Sequence, residues 1–89
     1  MLTIYSAQSM SIMRGWTVTI NKQLGYRIRY LRQQKGMSIE ALALEAEINR
    51  NYLGDLERGT RNPTLIILNK IAKALDIDLP TLFEGIKEL

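Results

Sequence analysis

Between Ser38 and Arg58 the chain reads SIEALALEAEINRNYLGDLER, and this stretch constrains what the rest can fold into. Ser38 is a good helix N-cap, because its hydroxyl can accept a hydrogen bond from a first-turn amide, and Glu40 follows within that turn. Ile39, Leu42, Ala43 and Ala46 then recur at i, i+3, i+4 and i+7, which puts one apolar stripe on one face of a helix. The pattern breaks at Glu47-Ile48-Asn49, where Ile48 can plug the angle between two helices and Asn49 can cap the next. From Arg50 to Glu57 the stripe resumes with Leu53 and Leu56, while Arg50, Asn51, Tyr52 and Asp55 point elsewhere. Helix, short turn and a second helix with a polar leading edge is the layout of a helix-turn-helix, whose second helix enters a DNA groove.

A chain of 89 residues, nearly half of them apolar, has enough material for one domain with a modest core. It contains no cysteine and no histidine, which removes disulfides, thiol chemistry, histidine general bases and nearly every transition-metal site. Without a clustered carboxylate pair either, the chain is not expected to be an enzyme, and no cofactor is expected. No apolar run is longer than that from Leu65 to Leu68, which is far too short to span a bilayer. Residues 1–20 carry one charge, Arg14, and lack the apolar core and small-residue cleavage site of a signal peptide. A cytoplasmic location is therefore expected. The net charge of +3 matters less than its distribution. Lys22, Arg27, Arg29, Arg32 and Lys35 form a block of +5 with no acid, whereas Glu40 to Arg58 sums to −3. Phosphate binding needs clustered cations, and the block around the first helix can supply them.

In chain order, Trp16, Val18 and Ile20 alternate with threonines in a short strand pattern that has no strand partner in an otherwise helical chain. Residues 1–20 are accordingly set apart as an N-terminal arm or extension, which either pairs with its own copy, lies as an ordered arm or stays poorly ordered. The domain proper is placed at 21–89. Its first helix is expected from about Lys22 to Gln34, with Asn21 as cap, Gly36 as stop and Leu24, Ile28 and Leu31 inward. Tyr26 and Tyr30 fall on the far side, either as tolerated surface rings or as rings covered by the arm, through Trp16, or by a partner chain. Beyond the central stretch, Gly59 closes helix three, and Pro63 is expected near the first turn of helix four. Leu65, Leu68, Ile71, Ala72 and Leu75 form that helix's core stripe, with Ile66 and Ile67 on a second apolar face, and a helix apolar on two sides usually has two neighbours. A last helix from Leu79 to about Glu88, capped by Asp78, is expected to turn Leu79, Leu82, Phe83 and Ile86 inward.

The segment from Leu24 to Phe83 resembles the Cro/repressor (XRE) type of helix-turn-helix protein. The markers are L-G-x-R-I-R-x-L-R at Leu24–Arg32, Gly36-Met37-Ser38, Leu42-Ala43, E-R-G-x-R-N-P at Glu57–Pro63 and I-A-K-A-L at Ile71–Leu75. Within that family, R-N-Y-L-G at Arg50–Gly54 is most like the controller proteins of restriction–modification systems. The resemblance implies an all-α, five-helix, lambda-repressor-like fold and a regulator of transcription. It implies an internal salt bridge between Arg32 and Glu57. Arg50, Asn51 and Tyr52 would lie in the major groove, where arginine suits guanine and asparagine suits adenine. Asp55, one turn on, would reach a cytosine amino group or sit at the rim. Arg58, Arg61 and Asn62 would contact the DNA backbone, and Ser38 with the amides behind it would hold another phosphate. Two positions depart from the family pattern: Ile39 stands where glutamine is common, and Glu47 where the turn often has glycine.

These observations together predict a homodimer on a palindromic operator, with Ile66, Ile67 and Phe83 at the dimer surface and no small-molecule ligand. Symmetry would set the two recognition helices about 34 Å apart, one turn of DNA. The alternative is an antitoxin-type module whose main partner is another protein and which regulates its own gene through DNA. Repression and activation are not distinguishable from residues alone.

Overall fold

A computed structural model describes residues 19–87 of the chain, and within them five helices follow one another. They are α1 (Ile20–Gln34), α2 (Ile39–Ala46), α3 (Arg50–Arg58), α4 (Leu65–Ala74) and α5 (Leu79–Leu82), with no strand among the described residues. Every one of the five starts on a side chain that accepts a hydrogen bond from an otherwise unpaired first-turn amide. Thr19 accepts from Lys22, Ser38 from Ala41, Asn49 from Asn51 and Tyr52, Thr64 from Ile67, and Asp78 from Thr81. Such caps each stabilise a helix by about 1 kcal/mol. In helices of eight to ten residues, as α2, α3 and α4 are, that is a large share of what holds the ends.

The ends of the helices differ from the sequence expectations in instructive ways. Thr19 rather than Asn21 caps α1, so Ile20 belongs to the helix and not to the arm. The rest of the expected strand, with Trp16 and Val18, lies outside the described residues, as does the rest of the arm. Pro63 precedes the Thr64 cap of α4 instead of sitting inside its first turn. Leu65, expected in the core, is 65% exposed, because the helix starts two residues after the proline and turns its first side chain outward. The last helix stops at Leu82: Phe83 is its C-cap, and Gly85 at φ +84° takes the chain out of helical conformation well before Glu88.

Helix stops elsewhere follow the left-handed rule. Gly36 (φ +69°) ends α1 in a Schellman turn, with the Gly36 amide donating to Gln33 and the Met37 amide to Arg32. Glu47 carries φ +59° at the end of α2, where a side chain is strained against its own carbonyl. The family's usual glycine would avoid this.

The stripes close over one core. Ile28, Leu42, Leu53, Leu56, Ile71 and Leu82 are its largest fully buried members, contributed by all five helices. The packing runs α1 on α3, α2 on α3 and on α4, and α4 on α5. A close junction lies at Gly25 in α1. A Cβ built there would stand 2.4 Å from the Glu57 carbonyl oxygen and 2.5 Å from that of Leu56, so the α1 and α3 backbones touch with no side chain between them. The chain's C-terminal end returns to α1 through polar contacts. Gln23 exchanges two hydrogen bonds with the Lys87 backbone (2.6 and 2.8 Å), and Arg27 donates to the Thr81 carbonyl at 2.8 Å and pairs with Glu84 at 3.3 Å.

Candidate nucleic-acid interface

The helix-turn-helix holds α3 by its apolar face and leaves its leading edge in solvent. Leu53 and Leu56 are buried in the core, and Ile48 in the turn packs against it. Arg50 and Asn51 are exposed, and Tyr52 is half-buried with its ring against the core. The C-terminal side is anchored by the internal ion pair. Arg32 Nε and Nη2 donate to the Glu57 carboxylate at 2.7 and 3.0 Å, and Arg32 Nη1 donates to the Met37 carbonyl at 2.9 Å. The two side chains are only 12% and 7% exposed, so each charge depends on the other for its place in the protein. Hydrogen bonding to Glu57 raises the Arg32 pKa further above its ordinary value. Three acceptors on one guanidinium thus tie α1, the loop before α2 and the end of α3 together.

The exposed edge is more heavily self-paired than its sequence suggests. Arg50 Nε donates to Glu40 Oε2 on α2 at 3.0 Å. Asp55 is not a lone acceptor at the rim: Arg58 reaches one carboxylate oxygen at 2.6 Å and Arg61 the other at 3.2 Å. These bonds, that from Arg58 first, hold the Asp55 carboxyl below the usual carboxylate range. The Arg61 guanidinium also lies 5.4 Å from the centre of the Tyr52 ring, within cation–π distance. Tyr52, Asp55, Arg58 and Arg61 therefore form one cluster along the flank of α3. Asn62 joins it through Asn21, whose side-chain amide donates to the Arg61 carbonyl at 2.8 Å and to Asn62 Oδ1. Ser38 sits apart at the start of α2, its oxygen accepting the Ala41 amide at 3.0 Å.

The basic block of the first helix divides in two. Arg27 and Arg32 are taken up by internal partners, whereas Lys22, Arg29 and Lys35 stay at the surface. Two of the five cations expected to draw phosphate are thus structural. The residues assigned to a dimer surface also separate. Ile66 is 72% exposed and lines a shallow apolar groove with Leu65, Asn69 and Leu79. Ile67 packs against the core instead. Phe83 lines a different groove with Ile20, Leu24, Pro63, Leu68 and Ile86.

Sequence reasoning missed Glu40 as a partner of Arg50, the double pairing of Asp55, and the reason for Gly25. The i, i+3 spacing of Asp55 and Arg58 was a signal for one of these. Nothing in a ten-residue separation across a turn announces Glu40 to Arg50. Among the described residues no group of acids could hold a metal ion, and no helix is long and apolar enough to cross a membrane.

Comparison with known proteins gives consistent matches. The model of the helix-turn-helix family HTH_3 matches residues 28–82. The control protein C.BamHI of Bacillus amyloliquefaciens is 44% identical over 62 residues, spanning 68% of this chain and 76% of that protein. The crystal structure of the restriction–modification controller protein C.AhdI from Aeromonas hydrophila matches at a TM-score of 0.68 and 45% identity, over 72% of this chain and 96% of that one. The controller protein C.Esp1396I, solved as a tetramer in complex with its natural 35 base-pair operator, matches at a TM-score of 0.71 and 30% identity. That match covers 79% of this chain and 92% of the other.

Proposed function

The chain belongs to the HTH_3 helix-turn-helix family and is a DNA-binding regulator of transcription of the Cro/repressor type, and from that premise we propose that it is the controller protein of a restriction–modification system, acting as a homodimer on a palindromic operator. The observation that carries the reading is α3 itself. It is locked to the core through Leu53, Leu56 and the Glu57–Arg32 pair, while Arg50 and Asn51 stand exposed at its leading end. Arginine offers paired donors to guanine O6 and N7, and asparagine a matched donor and acceptor to adenine. Arg58, Arg61 and Asn62, beside the helix, are suited to phosphate oxygens, which fix register without reading sequence. Lys22, Arg29 and Lys35 add long-range attraction. Asp55 acts within the arginine cluster rather than on a base.

The dimer surface is the exposed apolar groove of Leu65, Ile66 and Leu79, since an unpartnered apolar helix face calls for a neighbour. The similarity to C.AhdI over nearly all of that controller protein supports the sub-family reading. It does not favour the antitoxin alternative. A cytoplasmic location follows from the proposed task.

Selection of bound duplexes from a random pool, at one stated salt concentration, tests the proposal. An inverted repeat with half-sites centred about 34 Å apart is expected. Failure to enrich any sequence, or a monomer by light scattering both alone and on the selected DNA, would overturn it.

A further inference from the structure

The reading edge includes an acid that sequence pattern assigns only to the helix start. Glu40, in the first turn of α2, accepts from Arg50 Nε at 3.0 Å across the helix-turn-helix. Both side chains are more than half exposed, so burial does not force the contact. We propose that Glu40 is a specificity-determining positioning residue, which holds Arg50 by its Nε edge and leaves the two terminal nitrogens to address a base. The proposal rests on Arg50 being a base-reading residue, as set out above.

The chemistry of the guanidinium makes the choice of edge decisive. Its five donors form a rigid fork, and a carboxylate at Nε leaves the Nη1–Nη2 side, whose spacing matches guanine O6 and N7. An untethered arginine is free among many rotamers and can equally well settle on the nearest phosphate. Phosphate contacts tighten binding to every sequence alike, so an arginine that drifts to the backbone lowers specificity. Glu40 opposes that drift twice, by tethering the cation and by bringing a negative charge close to the phosphates. It is well anchored for the task. Its own backbone amide at the free start of α2, followed by Arg50, holds its carboxyl below the ordinary range and ionised at neutral pH. The simpler alternative is that Glu40 only neutralises a cation that stands unfavourably at the N-terminus of α3.

Four full-length proteins separate these roles: wild type, Glu40→Gln, Arg50→Ala and the double variant, each presented with the same random duplex pool at one salt concentration. Arg50→Ala is expected to flatten one base-pair position in each half-site. Glu40→Gln should weaken preference at that same position by about fivefold, the upper range for an exposed pair, and leave other positions sharp. Its binding to unselected DNA should hold or tighten. Added to Arg50→Ala, Glu40→Gln should change base preference no further. The proposal is overturned if Glu40→Gln leaves that position as sharp as in wild type, flattens all positions alike, or adds a loss without Arg50. It is equally overturned if the thermal midpoint falls in both backgrounds with preference unchanged, since that is neutralisation of the helix start. If Arg50→Ala flattens the position and Glu40→Gln does not, only the role of Glu40 falls. If Arg50→Ala flattens none, the base-reading role of Arg50 falls with it.

Discussion

Replacing Glu57 by glutamine tests what holds α3 in place. The substitution keeps the shape of the side chain and one acceptor oxygen but removes the charge that balances Arg32. That arginine side chain is 12% exposed and makes bonds of 2.7 and 3.0 Å to Glu57, with a third of 2.9 Å to the Met37 carbonyl. Removing one partner of a buried pair costs about 3–5 kcal/mol, because the other charge is left without compensation. The remaining amide oxygen offsets about 1 kcal/mol of that as a hydrogen bond. A loss of about 2–4 kcal/mol is thus expected. A domain of this size has a total stability of roughly 3–10 kcal/mol at about 0.05–0.15 kcal/mol per residue, so the loss is a large share of the total. Urea titration followed by helical circular dichroism should show a lower midpoint with an unchanged slope. The thermal midpoint should fall by roughly 10–30 °C. A loss below about 0.5 kcal/mol, the scale of an ordinary surface change, would refute the reasoning. The double variant Arg32→Met/Glu57→Leu sharpens the test. With no charge left to strand, it should recover most of the loss. If it is weaker than Glu57→Gln alone, the pair is net stabilising and the cost is not that of an orphaned guanidinium.

Gly25→Ala and Gly54→Ala should move stability in opposite directions when compared by denaturant midpoint. At Gly25 the new methyl meets carbonyl oxygens at 2.4 and 2.5 Å, so a loss of about 3 kcal/mol or more is expected. At Gly54 it meets only the Arg58 side chain and Ile39 at 3.4–3.6 Å, and helix propensity should add about 0.5–1 kcal/mol. Glu47→Gly, at φ +59°, should raise stability by about 1 kcal/mol in the same titration; a fall would show that the turn is not strained. Folding holds the Asp55, Asp78 and Glu40 carboxyls below their ordinary values, by bonds from Arg58, from Thr81, and from the Glu40 amide with Arg50. The unfolded chain therefore takes up protons first, so their stabilisation is present above about pH 4 and is lost as acid titrates the folded carboxyls. A thermal midpoint that fails to drop between pH 5 and pH 3 (about one unit either side of that value) would contradict this. Arg58→Ala should weaken binding to selected and random duplexes alike and lower the salt slope by roughly one, measured by titration across a salt series.

The helical framework was legible because each helix declares itself locally. Ser38, Asn49 and Asp78 are caps that need only the residues beside them, and the stripes of α2 and α3 repeat cleanly. Errors arose where a local signal had two meanings. Asn21 and Thr19 are both plausible caps, and the closer approach of the chain let Asn21 hold the Arg61–Asn62 loop instead. Pro63 suits either the first turn or the approach to it, and Thr64 decided the matter. Leu79 to Glu88 has a helical stripe, but Gly85 in a left-handed turn outweighed it. At the interface the residue types were readable and their partners were not. Charge alone cannot tell that Arg27 is drawn to the Thr81 carbonyl and Glu84 while Arg29 stays outside, because that depends on which helix face meets the C-terminal segment.

The contact at Gly25 has a consequence for how such a protein can change its target. A helix seated on side chains shifts when those side chains are replaced, since cores relax around altered volumes. Where α1 meets α3 the stop is main chain against main chain, which has no rotamers to readjust. The C-terminal end of α3, at Leu56 and Glu57, therefore rests on a contact that exchanges along the outer edge do not touch. Arg50 and Asn51, the proposed reading residues, lie at the other end of α3 and take no part in that contact. Under the proposed function, a change of sequence preference along that edge need not disturb the seat of α3 on α1.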